Sequence, residues 1–282
     1  MDNPRIQIIV PVYNSQKFLR KCLDSLIAQT YENWQAIIID DASEDKSPDI
    51  LREYAAEDSR FTVITQEKTG GVAKARNTGL EMMTAEYTAF LDSDDFWEND
   101  MLEAMLEKAE KFSADIVQCR FIYDFEDNKT VLPNGAFQKD TELEGKALRR
   151  VYTRMMTGIN MNHVCIRLIR TDKIGALRFD TSLKTAEDLH FSIRLFHKIK
   201  KYCFTDKVLY HYRRSSDSLT GKGLSFKEKF KANRFVSKEL LRALPVWGID
   251  NFYYRALSLM RPYIIIVSKI FRILREKVIA AK

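Results

Sequence analysis

The feature that most constrains this chain is a strict alternation, over its first 120 residues, of β-branched runs with segments of helical periodicity. Ile6 to Val12 is one unbroken apolar run, the pattern of a strand covered on both faces. From Gln16 to Ala28 the apolar residues Phe18, Leu19, Cys22, Leu23, Leu26 and Ile27 recur at helical spacing. Strands are then predicted over Trp34 to Ile39, Phe61 to Thr65, Tyr87 to Leu91 and Ile116 to Tyr123. Helices are predicted after Ser47-Pro48, which reads as an N-cap with proline in the first turn, over Val72 to Met83, and up to about Phe112. Repeated βα units imply a largely parallel sheet flanked by helices, and such sheets bind ligands at the carboxyl ends of their strands. Tyr13-Asn14, Asp40-Asp41 and Asp92 to Asp95 all fall at that end.

Past Tyr123 the order changes. A hairpin is predicted over Asp124 to Gln138, a helix over Glu142 to Met156, a short strand over His163 to Leu168, a helix over Thr185 to His197 and a strand over Val208 to Arg214. The rest reads as helical and basic. Gly221 to Lys282 carries 14 Lys and Arg against 4 Asp and Glu, so the whole chain's net charge of +6 conceals a mildly acidic body. The four cysteines, Cys22, Cys119, Cys165 and Cys203, form no Cys-x-x-Cys pair and suit buried thiols in a reducing compartment rather than a zinc site. No signal-peptide pattern opens the sequence, and the longest apolar stretch near the C-terminus, Tyr263 to Val267, is far short of the roughly 20 residues that span a bilayer. The expected location is cytoplasmic.

Asp92-Ser93-Asp94-Asp95 is the strongest local signal, because two carboxylates one residue apart on a turn suit a hard divalent cation that keeps waters and takes phosphate oxygens. On spacing alone, a turn that caps the following helix fits equally well. Asp40-Asp41 reads as a turn or as an acceptor for base or ribose hydrogen bonds. Gly70-Gly71 before a helix matches neither phosphate-loop fingerprint, so Lys74 and Arg76 fit a solvated helix start as well as a nucleotide site. Glu187-Asp188 at a helix start would also complement the helix dipole.

Taken together, Ile8-Ile9-Val10-Pro11-Val12-Tyr13-Asn14, Gln29-Thr30-Tyr31-Glu32-Asn33-Trp34, Ile39-Asp40-Asp41-Ala42-Ser43, Gly71 to Asn77 and Phe90 to Asp95 follow one another as in a single family. Over about residues 5 to 215 the chain resembles the family 2 inverting glycosyltransferases of GT-A fold that serve bacterial polysaccharide synthesis. The resemblance implies an α/β, Rossmann-like sheet with a helical C-terminal extension. It places Pro11, Val12, Tyr13, Asp41, Arg76, Asp92 and Ser93 around a donor such as a UDP-sugar, with Asp41 facing the uracil. It makes Asp92 and Asp94 ligands of Mn²⁺ or Mg²⁺, with His211 of Tyr210-His211-Tyr212-Arg213-Arg214 as a third ligand or else a packed edge-strand histidine. Arg213 is a candidate phosphate contact, and His163 and His190 are expected to be structural. In Ala186-Glu187-Asp188-Leu189-His190-Phe191 the second carboxylate, Asp188, is implied as the base that takes the acceptor's proton.

The expected organisation is a glycosyltransferase domain over 1–220, split into a donor half (1–123) and an acceptor half (124–220), then a basic extension over 221–282. The acceptor would be a saccharide or lipid-linked saccharide, and nothing points to nucleic acid. From Arg261 to Ile279, Ser268, Lys269, Arg272, Arg275 and Glu276 form one polar stripe on an otherwise apolar helix. Such a helix suits an anionic membrane surface on the inner face of the cell membrane, and equally suits packing on the body or in a homodimer. Two other functions fit the sequence less well. A sugar nucleotidyltransferase would carry a glycine-rich loop where Pro11-Val12-Tyr13-Asn14 stands. A catalytically silent nucleotide-sugar-binding module would not need Asp92, Asp94 and Asp188 together.

Overall fold

The structure, a computed structural model, describes residues 5–127, 129–158, 161, 163–214 and 225–263. Its frame is one mixed sheet. Strands β1 (Ile6–Val12), β2 (Trp34–Asp40), β3 (Phe61–Thr65) and β4 (Tyr87–Phe90) lie in the order β3-β2-β1-β4 and are all parallel. Helices α1 (Leu19–Ile27), α2 (Ser47–Glu57) and α3 (Val72–Glu81) make the crossovers between them. β1 alternates between two cores. Ile6, Ile8, Val10 and Val12 join the cluster that includes α1 and α2, whereas Ile9 joins Leu80 of α3 on the other face. Each of these side chains is essentially fully buried, a contribution of about 1.5–3 kcal/mol apiece.

Beyond β4 the expected parallel order gives way. After β5 (Phe96–Trp97), α4 (Met101–Phe112) and β6 (Ile116–Phe125), the chain forms the expected hairpin with β7 (Thr130–Val131). It then adds β8 (Thr141–Glu144), a 3₁₀ turn over Gly145–Leu148, and α5 (Arg149–Thr157). The predicted helix over 142–156 therefore begins seven residues late. Gly145 at φ +51° breaks it, and Leu143 is instead buried in a strand paired antiparallel with residues 201–204. β9 (Arg167–Arg170) is short and runs antiparallel between β4 and β6, which no apolar run could reveal. Following the short α6 (Thr171–Ile174) and α7 (Glu187–Leu195), β10 spans Lys201–Arg214, seven residues more than predicted at its start. Exposed Asp206 and Lys207 sit where its register with β6 shifts, and this polar interruption conceals the first half of the strand.

β10 runs parallel to β6, and two antiparallel steps carry β6 back to the direction of β4. The carboxyl ends of β1, β2, β4, β6 and β10 therefore share one edge. Arg167, fully buried, ties this second half together. Its guanidinium donates to Gln118 Oε1 (2.9 Å), Ser192 Oγ (2.7 Å) and the Met161 carbonyl (2.7 Å).

The C-terminal segment contributes α8 (Phe226–Val246), opened by a capping box of Ser225 and Glu228. Val236, Leu240, Ala243 and Leu244 of α8 belong to the same core as Leu189, Phe191 and Ile193 of α7. Residues 252–263 are again helical, and Arg261 is buried there on the carbonyls of Met155 and Met156 at the end of α5. The amphipathic segment read over 261–279 lies outside the described residues from 264 onward. Among the described residues no helix is long and apolar enough to cross a membrane. All four cysteines are free and buried.

α3 approaches β1 closely because of Gly79. A Cβ built there would lie 2.7 Å from Ile9 Cγ2 and 3.0 Å from Ile9 Cγ1. Gly79→Val is expected to destabilise the fold by about 2–3 kcal/mol through overpacking. Urea denaturation should show this as a lower midpoint at unchanged m-value.

Candidate functional site

The turns that leave β1 and β2 are bonded to each other. Asn14, at φ +48°, accepts the Glu44 N–H on its Oδ1 (2.8 Å) while its own N–H donates to Ser43 Oγ (3.0 Å). Ser47 does not cap α2 as predicted. Its hydroxyl accepts the Ser15 N–H (2.8 Å), and its own N–H donates to Asp45 Oδ1 (2.8 Å). Asp41 is buried with its carboxylate accepting from the N–H groups of Gly70 (2.8 Å) and Gly71 (2.7 Å) and from the Thr69 hydroxyl (2.9 Å). These bonds shape the loop into α3, where Gly71 adopts φ +82°, a conformation open to glycine.

One turn into α3, Arg76 is buried, its side chain 3% exposed. Its guanidinium donates to Asp92 Oδ1 (2.7 Å) after β4 and to Asp188 Oδ1 (2.6 Å) at the start of α7, with Glu187 Oε1 at 3.5 Å. Burial alone would lower the Arg76 pKa, but Asp188, Asp92 and Glu187 together hold it well above the usual value. The turn over 92–95 and the 187–188 pair, nearly a hundred residues apart in sequence, thus meet on one cation. Ala186, at φ +64°, turns the chain so that both carboxylates enter the site.

The remaining residues of the acidic turn divide between scaffold and cleft. Asp95 is fully buried, accepts the Tyr210 hydroxyl (2.5 Å) and the Arg213 N–H (2.8 Å), and so fastens the turn to β10. Ser93 is bonded through its hydroxyl to that of Ser15 (2.7 Å). Burial, and then the neighbouring Asp92, pushes the Asp94 carboxyl up to about 6. Burial pushes the Asp188 carboxyl up to about 7 against the opposing pull of Arg76.

These groups line a cleft of about 630 Å³, large enough for a nucleotide sugar. Pro11, Val12, Tyr13, Asp41, Arg76, Asp92, Ser93, Asp94 and Asp188 are all on its walls. His211 is not. Its Nε2 is 2.6 Å from Glu98 Oε1, and its ring stacks on Phe96 with centroids 4.2 Å apart. Arg213 likewise lies off the cleft lining, its guanidinium over the rings of Phe18 and Phe96. His163, expected to be structural, and Tyr212 do line the cleft. The rings of Phe121 and Tyr212 pack on His163 with Tyr123 beside them, a grouping across β6 and β10 that spacing along the chain does not show.

Asp92 and Asp94 fit a hard divalent cation in part. No hydrogen bond among the described residues reaches Asp92 Oδ2, and burial together with Asp92 raises the Asp94 carboxyl, so a cation beside the pair would be favoured. Among the described residues no cluster of three His, Cys, Asp or Glu forms a complete protein cage. That donor set suits Mg²⁺ or Mn²⁺, which take phosphate oxygens and waters as their other ligands.

Removing the central cation should be costly. Arg76→Ala leaves three carboxylates facing one another, and a loss of about 3 kcal/mol in unfolding free energy is expected. Thermal and urea unfolding of the purified variant test this. Unchanged stability would mean that Arg76 does not hold the site together.

Comparison with known proteins gives one answer. The sequence profile described as Glycosyl transferase family 2 matches residues 7–177. EpsH of Bacillus subtilis (strain 168) is 36% identical over 218 residues, which take in 76% of this chain and 62% of that protein. Glycosyltransferase GlyA of Streptococcus pneumoniae serotype 4 is 33% identical over 221 residues, 77% of this chain and 31% of that protein, so the chain spans less than two thirds of EpsH and about a third of GlyA. Among solved structures, S. aureus TarS 1–349 in complex with UDP-GlcNAc superposes with a TM-score of 0.74 at 21% identity, covering 92% of this chain and 71% of that one. The parallel β3-β2-β1-β4 sheet, the acidic turn after β4 and the carboxylate pair of α7 are thus features of a chain that belongs to glycosyl transferase family 2.

Proposed function

We propose that this chain transfers a sugar from a UDP-sugar to a hydroxyl of a saccharide or lipid-linked saccharide in cell-surface glycan synthesis, with inversion at the anomeric carbon. The observation that carries the reading is the Arg76 bridge, which sets a donor-side carboxylate, Asp92, and a candidate base, Asp188, on one cleft. The TarS complexes with UDP and UDP-GlcNAc support a uridine nucleotide as donor. Pro11, Val12, Tyr13 and the loop held by Asp41 would form the nucleotide wall. Asp92 and Asp94 would hold Mn²⁺ or Mg²⁺, which supplies Lewis-acid neutralisation of the charge that builds on the leaving diphosphate.

Asp188 is suited to take the acceptor's proton. Its Oδ1 is fixed by Arg76, and its Oδ2 is held only by a long bond from the Val164 N–H (3.4 Å). A carboxyl raised by burial to about 7 is a stronger base than an ordinary aspartate. The acceptor oxygen would attack the anomeric carbon on the face opposite the departing nucleotide, through an oxocarbenium-like transition state, and so invert the centre.

Incubating the purified chain with UDP-glucose, UDP-galactose and UDP-GlcNAc in Mn²⁺ should release UDP slowly from at least one donor. Pyrophosphate exchange instead would indicate a nucleotidyltransferase, and binding without turnover a silent module. Asp188→Asn is expected to lower kcat by at least about a hundredfold while the UDP Kd stays within about twofold. Because the base must be ionised, log kcat/KM of the wild type should fall with unit slope as pH drops below about 7. A profile flat from pH 5 to 8 would remove Asp188 from that role. For Asp94→Ala, isothermal titration should show UDP binding weakened about tenfold in Mn²⁺ and no longer different from binding in EDTA.

A further inference from the structure

The transferase reading leaves one cleft side chain without a task, and this inference rests on that reading. His163 lines the cleft with Arg76, Asp92, Asp188 and Tyr212. Its ring packs edge-on against Phe121 (centroids 5.2 Å apart) and Tyr212 (5.9 Å). No hydrogen bond or ion pair joins the ring nitrogens of this half-buried histidine to a described residue, whereas Ser15, Ser93, Asp41 and Asp188 on the cleft walls each have bonded partners. The residue that follows it, Val164, donates its backbone N–H to Asp188 Oδ2 (3.4 Å), so His163 is placed beside the candidate base. We propose that His163 is an acceptor-recognition residue, whose imidazole hydrogen-bonds a hydroxyl of the incoming saccharide and sets its attacking oxygen against Asp188.

Two further observations favour the acceptor over the donor. The nucleotide wall is built from the turns after β1 and β2 and from α3, whereas His163 stands on the segment leading into β9, among the rings of β6 and β10. Burial, and then the buried Arg167, lowers the His163 pKa to about 4, so the ring is neutral at physiological pH. A neutral imidazole has one N–H donor and one lone-pair acceptor, which matches the dual character of a sugar hydroxyl. It also adds no positive charge that would compete with Arg76 for Asp188. The flanking rings fix its plane and offer an apolar wall for a sugar face.

The test uses UDP-GlcNAc, UDP-glucose and UDP-galactose as donors and a panel of p-nitrophenyl hexosides as acceptors. The pair that the wild type turns over fastest is carried forward. His163→Leu is expected to raise the acceptor KM about tenfold while the donor KM, the UDP Kd and the slow hydrolysis of donor without acceptor stay within twofold. His163→Gln, which keeps a donor and an acceptor, should recover most of that loss. An unchanged acceptor KM in His163→Leu overturns the proposal. So does a parallel fall in donor binding and hydrolysis, which would make His163 a structural or donor-side residue. Thermal unfolding of both variants identifies misfolding, and in that event His163→Gln alone decides by the same acceptor KM. Should the wild type turn over no pair while still binding UDP, the transferase reading fails first and the role of His163 falls with it.

Discussion

The site depends on one buried guanidinium. Arg76 neutralises carboxylates that arrive from two distant parts of the chain, and without it Asp92, Glu187 and Asp188 would repel one another in a half-buried cleft. Arginine suits the position because its planar fork reaches two carboxylates in different directions, which a lysine ammonium on a single axis does less well. The helix that carries Arg76, α3, also carries Gly79, where it lies against Ile9 of β1. Packing at one glycine and charge at one arginine are therefore parts of the same constraint.

Local strain concentrates around the same cleft. Of the described non-glycine residues with positive φ, Asn14, Ala42 and Ala186 lie at the turn after β1, the turn after β2 and the start of α7. Asn14 offsets its cost with a side-chain bond to the neighbouring turn, but Ala186 has no comparable side chain. The Glu187 and Asp188 pair that it presents is anchored to Arg76 instead. Backbone held in a sparsely populated region, over-determined by surrounding contacts, is how proteins place groups that a relaxed turn would direct elsewhere.

Much of the first half was legible because its signals are local. The βα alternation of residues 6–112 comes from periodicity, and acidic residues at strand ends follow once the strands are parallel. The second half was harder to read. β9 is too short to announce its direction, β10 is interrupted by Asp206 and Lys207, and the segment over 141–148 mixes strand and turn behind a helical composition. Arg167 was missed because a buried arginine has no sequence signature; its partners Gln118, Ser192 and Met161 come from three separate segments. For His211 the sequence left a metal ligand and a packed edge-strand histidine both open. This residue follows the buried Tyr210 on an acid-rich edge, but its ring stacks on Phe96 and bonds Glu98 away from the cleft.

By itself the sequence determined which segments of the first 112 residues become strands and helices, that the chain is α/β, and that carboxylates gather at one sheet edge, since these follow from spacing along the chain. Its linked motifs also pointed to the family. Only the tertiary structure decided that Arg76 is buried between Asp92 and Asp188, that Asp41 shapes the loop at Gly70-Gly71, and that His163 rather than His211 faces the cleft. The physical reason is that burial, ion pairing and the sharing of a hydrogen bond are properties of neighbours in space. Residues 16, 96 or 112 positions apart become neighbours only when the sheet closes over them.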